Sequence, residues 1–442
     1  MKSRTGTLRF DGRFRVAFVL FGGMLALQSS PVLDATKIAY LVGTALCLLG
    51  ALAAVWRARR TPAVRLAAPW LAASAVLAML IAISFLVARA NGTLITDWVR
   101  DVAAYALFAA APVFALDAQA SASRRLLVGM LVVAGLLGGF SWAVEWLSRR
   151  QILDLPFARL VFPSGQLPGM LYLFALATAL TAGRRRTVWV VLAGGTLGLF
   201  LLTGTRSSLL LLIGALAMAA IVGWGRIRSS LKTLALHGVV AVTVVLVFQL
   251  ALALPDVLGV GRTAGEPGSS DPPATSLPRV LGDRLGSLPE LLDNPTSDAS
   301  FTERLAQYEA AWRLFLSSPI VGVGAGHSID WVDVSGYPRS GFTADTPLVM
   351  PAKFGVLGVL VFLGFAGAYS ATVWTALRRD RRSGVTLTLL GFGALVIVGL
   401  PLGFLIEDKG AGLAIILLLA LAFSERPPAH GTSSNESVQR LS

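Results

Sequence analysis

Charge is scarce in this 442-residue chain: Asp, Glu, Lys and Arg make up 14% of it, against 55% hydrophobic residues, and the mean hydropathy is +0.71. So few polar side chains cannot coat a globule of this size, which excludes a water-soluble protein. Cysteine is scarcer still. Cys47 stands alone in an apolar run, so neither a disulfide framework nor a thiolate metal site can form within one chain. The HExxH, P-loop and strand-borne glycine patterns are missing, as are an acidic metal cluster and any internal repeat, so no cofactor is expected.

What the chain has instead is apolar runs long enough to cross a bilayer, which takes about 20 residues each. Hydropathy places about twelve spans, at 16–29, 36–56, 66–88, 97–116, 126–147, 167–182, 188–204, 207–224, 233–254, 346–377, 385–406 and 410–423. With a cytoplasmic N-terminus, the inside segments carry 23 Lys/Arg and 5 Asp/Glu, and the rest of the chain 15 and 19. That asymmetry is the positive-inside pattern and puts both termini in the cytoplasm. The net charge of +14 therefore marks topology, in clusters such as Arg57/Arg59/Arg60, rather than a nucleic-acid surface. The first apolar stretch follows a basic N-terminus, lacks a small-residue cleavage site and reads as an uncleaved anchor. The predicted architecture is an all-α polytopic membrane protein. Spans one to nine cover 1–254, a long, partly helical outer loop covers 255–345, spans ten to twelve cover 346–423, and 424–442 form a cytoplasmic tail.

The residues with chemistry to offer gather on the outer side. Ser300 to Gly326 (SFTERLAQYEAAWRLFLSSPIVGVGAG) predicts an amphipathic helix over 300–317, with Ser300 as N-cap and Glu303 completing a capping box. Leu305, Tyr308, Trp312 and Phe315 form its apolar stripe. Pro319 ends it, and Gly322, Gly324 and Gly326 permit a tight turn with close backbone approach. Arg304 sits in the first turn, where the helix dipole disfavours a cation, which points to an anionic partner. In span four, Asp97 or Asp101 is expected to pair with Arg100. Between spans five and six, Arg149, Arg150 and Arg159 lie among Trp142, Trp146, Phe157 and Phe162, either as an interfacial belt or as a phosphate- or sugar-binding segment. Arg206, flanked by Thr203, Thr205, Ser207 and Ser208 where span eight begins, is either a snorkelling cation or part of an anion site.

Two of these segments, with a third, resemble a known family. Thr203-Gly-Thr-Arg206-Ser-Ser is similar to the T-x-S-R-x pattern of the O-antigen ligase and polymerase family. Arg304 through Trp312 to Ser318-Pro-Ile-Val-Gly-Val-Gly-Ala-Gly326 resembles its R-x-x-x-W-x-x-A followed by P-x-x-G-x-G. Asp345-Thr-Pro-Leu leading to Phe354-Gly-Val-Leu-Gly358 resembles its extended stretch before G-[LIV]-x-G. The resemblance implies a membrane glycosyltransferase of the C-type (GT-C-like) architecture in a bacterial inner membrane, with its active site facing the periplasm. It implies a polyprenyl-diphosphate-linked glycan as donor, a lipid, glycan or protein as acceptor, no metal, and a grip on the donor diphosphate by Arg206 and Arg304. Many ligases carry a His-Asn pair where this chain reads Ala344-Asp345, so the base that activates the acceptor becomes Asp345 or, alternatively, His327.

The chemistry of the donor that the resemblance implies suits these residues. A departing diphosphate takes negative charge with it, and fixed cations stabilise that charge as it develops. The acceptor hydroxyl needs a proton acceptor, and direct displacement inverts the anomeric carbon. Asp345 is either that base or a helix cap, and His327 either a catalyst or a loop histidine bonded to backbone. A twelve-span secondary transporter and a non-catalytic protein that binds lipid-linked glycan remain the alternatives. A transporter would hold polar groups near the bilayer midplane, where this chain has few outside span four.

Overall fold

The computed structural model describes residues 11–26, 35–149, 166–181, 186–202, 207–223, 227–257, 299–400 and 409–425. The linker 258–298 and the tail beyond 425 lie outside them. In chain order, α1 is an interrupted helix made of Gly12–Ala17, a π turn Phe18–Gly22 and Gly23–Ala26. There follow α2 Ala35–Arg57, α3 Pro62–Ala90, α4 Ile95–Ser121 and α5 Arg124–Arg149. Next come α6 Gln166–Thr181, α7 Arg186–Leu202, α8 Ser207–Gly223 and α9 Ile227–Val257. Helix α10, Ala299–Ser317, precedes a hairpin of β1 Ile329–Val332 and β2 Pro338–Gly341. The chain continues with α11 Val349–Arg379, α12 Gly384–Gly399 and α13 Lys409–Ser424. Among the described residues, five helices are long and apolar enough to cross a membrane and six apolar helices are shorter.

The hairpin is an addition to the all-helical expectation. Its strands pair antiparallel, Ile329 opposite Gly341 and Val332 opposite Pro338. Asp333 closes the turn: its Oδ1 accepts from the backbone N–H groups of Ser335 and Tyr337, each at 2.9 Å.

Helix α4 sits where the bundle is densest, packed by α1, α2, α3 and α13. Its alanines, among them Ala103, Ala104, Ala110, Ala111 and Ala115, are buried. Small side chains let neighbouring backbones approach closely, which matters in lipid, where helix association has no hydrophobic drive. A helix covered on all sides has little room for charge, yet α4 buries two carboxylates, one near each end. Asp117 accepts two hydrogen bonds from Arg15 of α1, at 2.8 and 2.6 Å. Asp101 lies about 24 Å away along the helix at 1.5 Å per residue, and it corrects the expected pairing within span four. Its partner is Lys353 of α11, Nζ to Oδ1 2.6 Å, with both side chains 1% exposed. Arg100 instead stacks its guanidinium 4.9 Å from the Phe342 ring centroid.

The Asp101–Lys353 pair reaches beyond two helices. Asp101 Oδ2 accepts the N–H of Gly326 at 2.6 Å, and Lys353 Nζ also donates to the carbonyl of Phe342. The glycine-rich turn, the segment after the hairpin, α4 and the start of α11 thus meet at two opposite charges. Removing one partner of such a buried pair is far costlier than replacing both. Lys353→Met alone is expected to destabilise the fold by about 3–5 kcal/mol, and Asp101→Asn with Lys353→Met by much less than the two single losses combined. Thermal unfolding of the detergent-solubilised protein checks both.

Candidate active site

Helix α10 carries Arg304 in its second turn. The helix runs from Ala299 to Ser317, beginning one residue ahead of the expected start. The face turned to the protein is not the apolar stripe. Gln307, Ala310 and Ala311 are buried, whereas Leu305 and Trp312 are exposed. Ala310 packs with Ile329, Ala344 and Val349, and Leu314 and Trp331 close over them. Small side chains win the inner face because β1 and the segment 342–348 pass too close for larger ones.

That crossing segment brings Asp345 to Arg304. Gln307, one turn beyond Arg304, accepts the backbone N–H of Asp345 on its Oε1 at 2.6 Å. The Asp345 carboxylate then lies with Oδ2 3.9 Å from Arg304 Nε, too far for a hydrogen bond. Arg304 Nε is buried and has no hydrogen-bond partner, which leaves a charged donor directed into the site. Tyr308, also one turn from Arg304, is hydrogen-bonded to Thr346 and lies in the field of Arg304; burial raises its phenol pKa and these two neighbours oppose the rise. The protein crowded around the Asp345 carboxyl raises its pKa, Arg304 opposes this and Glu303 adds to it. With 66% of that side chain open to solvent, water screens these effects and the rise is modest.

The glycine turn after Pro319 fixes where α10 ends. Gly355 breaks α11 with φ 64° and ψ −159°, and a Cβ there would overlap the Ile320 carbonyl. Freed from helical bonding, the backbone at this break pairs with the turn: Val323 N–H donates to Ala352 O at 2.9 Å, Gly324 N–H to Lys353 O at 3.1 Å, and Val356 N–H to Pro319 O at 2.8 Å. Gly326, φ 81°, lies so close to α4 that a Cβ would sit 2.6 Å from the Trp98 nitrogen.

Of the catalytic candidates, the structure brings Arg304 and Asp345 together. His327 lines a neighbouring polar cavity of about 390 Å³ with Asn91, Asp97, Ser328, Ser340 and Phe342; neither Arg304 nor Asp345 lines it. Arg206, Arg150 and Arg159 lie outside the described residues; Arg149 closes α5 and Ser207 opens α8, and the described set does not include their side chains. Among the described residues no group of three His, Cys, Asp or Glu side chains could hold a metal. Gln307, Tyr308 and Lys353 were not among the sequence candidates. The first two stand three and four residues from Arg304 and so share its helix face; Lys353 is a lone cation two residues before the glycine that breaks its helix.

Fold and composition define a multi-pass, α-helical membrane protein. A family model described as O-antigen ligase matches residues 190–363, a stretch that contains Arg206, Arg304, His327 and Asp345. The match identifies residues 190–363 as an O-antigen ligase domain and supports a ligase- or polymerase-like role in the membrane. A comparison with curated proteins returns no match.

Gly355→Ala forces a side chain into a left-handed backbone, which costs on the order of 1–3 kcal/mol before its overlap with Ile320 is added. Gly367→Ala, in the same helix with nothing within 4 Å of the new Cβ, serves as control. Thermal unfolding should drop for the first and hold or rise slightly for the second.

Proposed function

We propose that this protein transfers a glycan from a polyprenyl-diphosphate carrier to an acceptor hydroxyl of a lipid, glycan or protein, at the periplasmic face of a bacterial inner membrane. The observation that carries this reading is the buried, unpartnered Nε of Arg304 beside Asp345: a cation with a spare donor next to a carboxylate within reach of water.

In this reading Arg304 and Arg206 hold the donor diphosphate, and Ser207 adds a donor where α8 begins. Arg149, Arg150 and Arg159 extend the basic surface for the donor's headgroup. Guanidinium suits the task because its planar fork bonds two phosphate oxygens at once. The acceptor oxygen attacks the anomeric carbon as the bond from that carbon to the diphosphate oxygen breaks. The electron pair leaves with the diphosphate, where the arginines stabilise it, and the acceptor proton passes to Asp345 or, in the alternative assignment, to His327. One displacement inverts the anomeric centre. Two fixed cations do the work a divalent metal does elsewhere, so chelators should leave the rate unchanged. The domain scheme of nine spans, an outer loop with α10, three more spans and a cytoplasmic tail places this chemistry on the side that the Lys/Arg asymmetry makes periplasmic.

Purified protein with a polyprenyl-diphosphate glycan tests the proposal. Arg304→Ala and Arg206→Ala should each lower turnover by about 10²–10³-fold, the scale for removing one donor to a developing anion, and Arg→Lys should impair either position substantially. Donor binding without turnover in the unaltered protein, with every acceptor class supplied, would reduce the molecule to a binding protein.

A second test is the pH profile. A base must be deprotonated to act, so the rate falls as pH drops through its pKa. The raised pKa of Asp345 puts that limb above the ordinary aspartate value of about 3.9. Glu303→Gln removes a neighbouring negative charge and should move the limb to lower pH; Asp345→Asn should abolish it. If the limb survives in Asp345→Asn and disappears in His327→Ala, the base is His327.

A further inference from the structure

The exposed side of α10 is not uniformly polar. At 100° per residue, Leu305, Trp312 and Leu316 fall within an arc of about 40°, and all three are exposed. Beside them lie Glu309 and Arg313, exposed and paired at 3.8 Å, while the buried face lies on the opposite side. Trp312 packs its ring on Phe315 at 5.2 Å. A helix bathed in water on its outer side gains nothing from such a strip. A helix lying in the plane of a membrane surface needs a strip of this kind, apolar on one flank and charged on the next.

The junction with α11 tells where the strip leads. Ile320, 69% exposed, lies just beyond Ser318 and Pro319 after α10, and its carbonyl abuts Gly355. The preceding carbonyl, of Pro319, accepts the N–H of Val356. Val356, Val359 and Leu360 are the first exposed apolar residues of α11 beyond its break, on a helix long and apolar enough to span the membrane, so their outer face is suited to lipid. These backbone contacts join the end of α10 to the start of that exposed apolar face.

We infer that α10 is seated in the membrane interface, with Leu305, Trp312, Leu316 and Ile320 inserted among the lipid headgroups and upper acyl chains of the leaflet from which α11 emerges. The occupant of this surface is phospholipid. Tryptophan prefers this depth, where its ring is apolar and its N–H stays wet. The consequence is positional: Arg304, on the other flank of the same helix, is held at the level of lipid phosphates. This surface is independent of the catalytic assignment and would stand if no glycan were transferred.

The single native cysteine makes the test direct. In a Cys47→Ser background, Leu316→Cys carries an environment-sensitive fluorophore, and the protein is reconstituted in phosphatidylethanolamine/phosphatidylglycerol vesicles. Leu360→Cys is the lipid-facing reference. The expected result is blue-shifted emission at 316, quenched several-fold more by lipids spin-labelled near the top of the acyl chain than by aqueous iodide, and at a shallower depth than at 360. Iodide quenching that dominates at 316 overturns the inference. So does protection from both quenchers with cross-linking between two copies at 316, which would make the occupant a second protomer. The unlabelled protein provides an independent reading: brominated lipids should quench a component of tryptophan emission that is missing in Trp312→Phe. An unchanged quenchable fraction in that variant refutes the interfacial placement.

Discussion

Two charges buried against each other organise this molecule. Asp101 and Lys353 lie 252 residues apart in sequence, and each would be prohibitively costly to bury alone in such a setting. Each also bonds backbone, Asp101 accepting from Gly326 N–H and Lys353 donating to Phe342 O. The pair is therefore a four-way joint between α4, the glycine turn, the segment after the hairpin and α11. Such pairs contribute less to net stability than their Coulomb attraction implies. What they impose is register, because any slip of α11 against α4 would strand a charge in an apolar interior. The Arg15–Asp117 pair at the far end of α4 does the same for α1.

The site inherits its geometry from that joint. Arg304 reaches its place through α10, which the Pro319–Val356 bond ties to α11. Asp345 reaches its place along the segment between Phe342, held by Lys353, and the start of α11. Gln307 then links the two directly through the Asp345 N–H. The distance of 3.9 Å between Arg304 and Asp345 thus results from fixing both chains at their ends. An arrangement of this kind leaves the guanidinium with a donor to give.

Two features of this region were legible beforehand. Arg304 stood out because a cation in the first turns of a helix opposes the helix dipole, and the glycines stood out because they followed a proline-ended helix. Their reasons for being glycine came from packing: the turn lies against the α3–α4 connection on one side and against a broken helix on the other. The apolar stripe was legible as a period, but a period alone does not say which face packs on protein; on α10 the inner face went to Ala310 and Ala311, which pack against β1 and the crossing segment.

The membrane character, the helices and the positions of the candidate cations were determined by the sequence itself, since hydropathy, helical periodicity and charge are local properties that bilayer and backbone read directly. Which charge meets which was decided only in three dimensions. Asp101 has Arg100 beside it in the chain, but neighbours one apart project to different sides of a helix, and among the described residues it is Lys353 that the fold delivers to its carboxylate. The same holds for Arg304 and Asp345, whose meeting depends on a return crossing that no local pattern encodes.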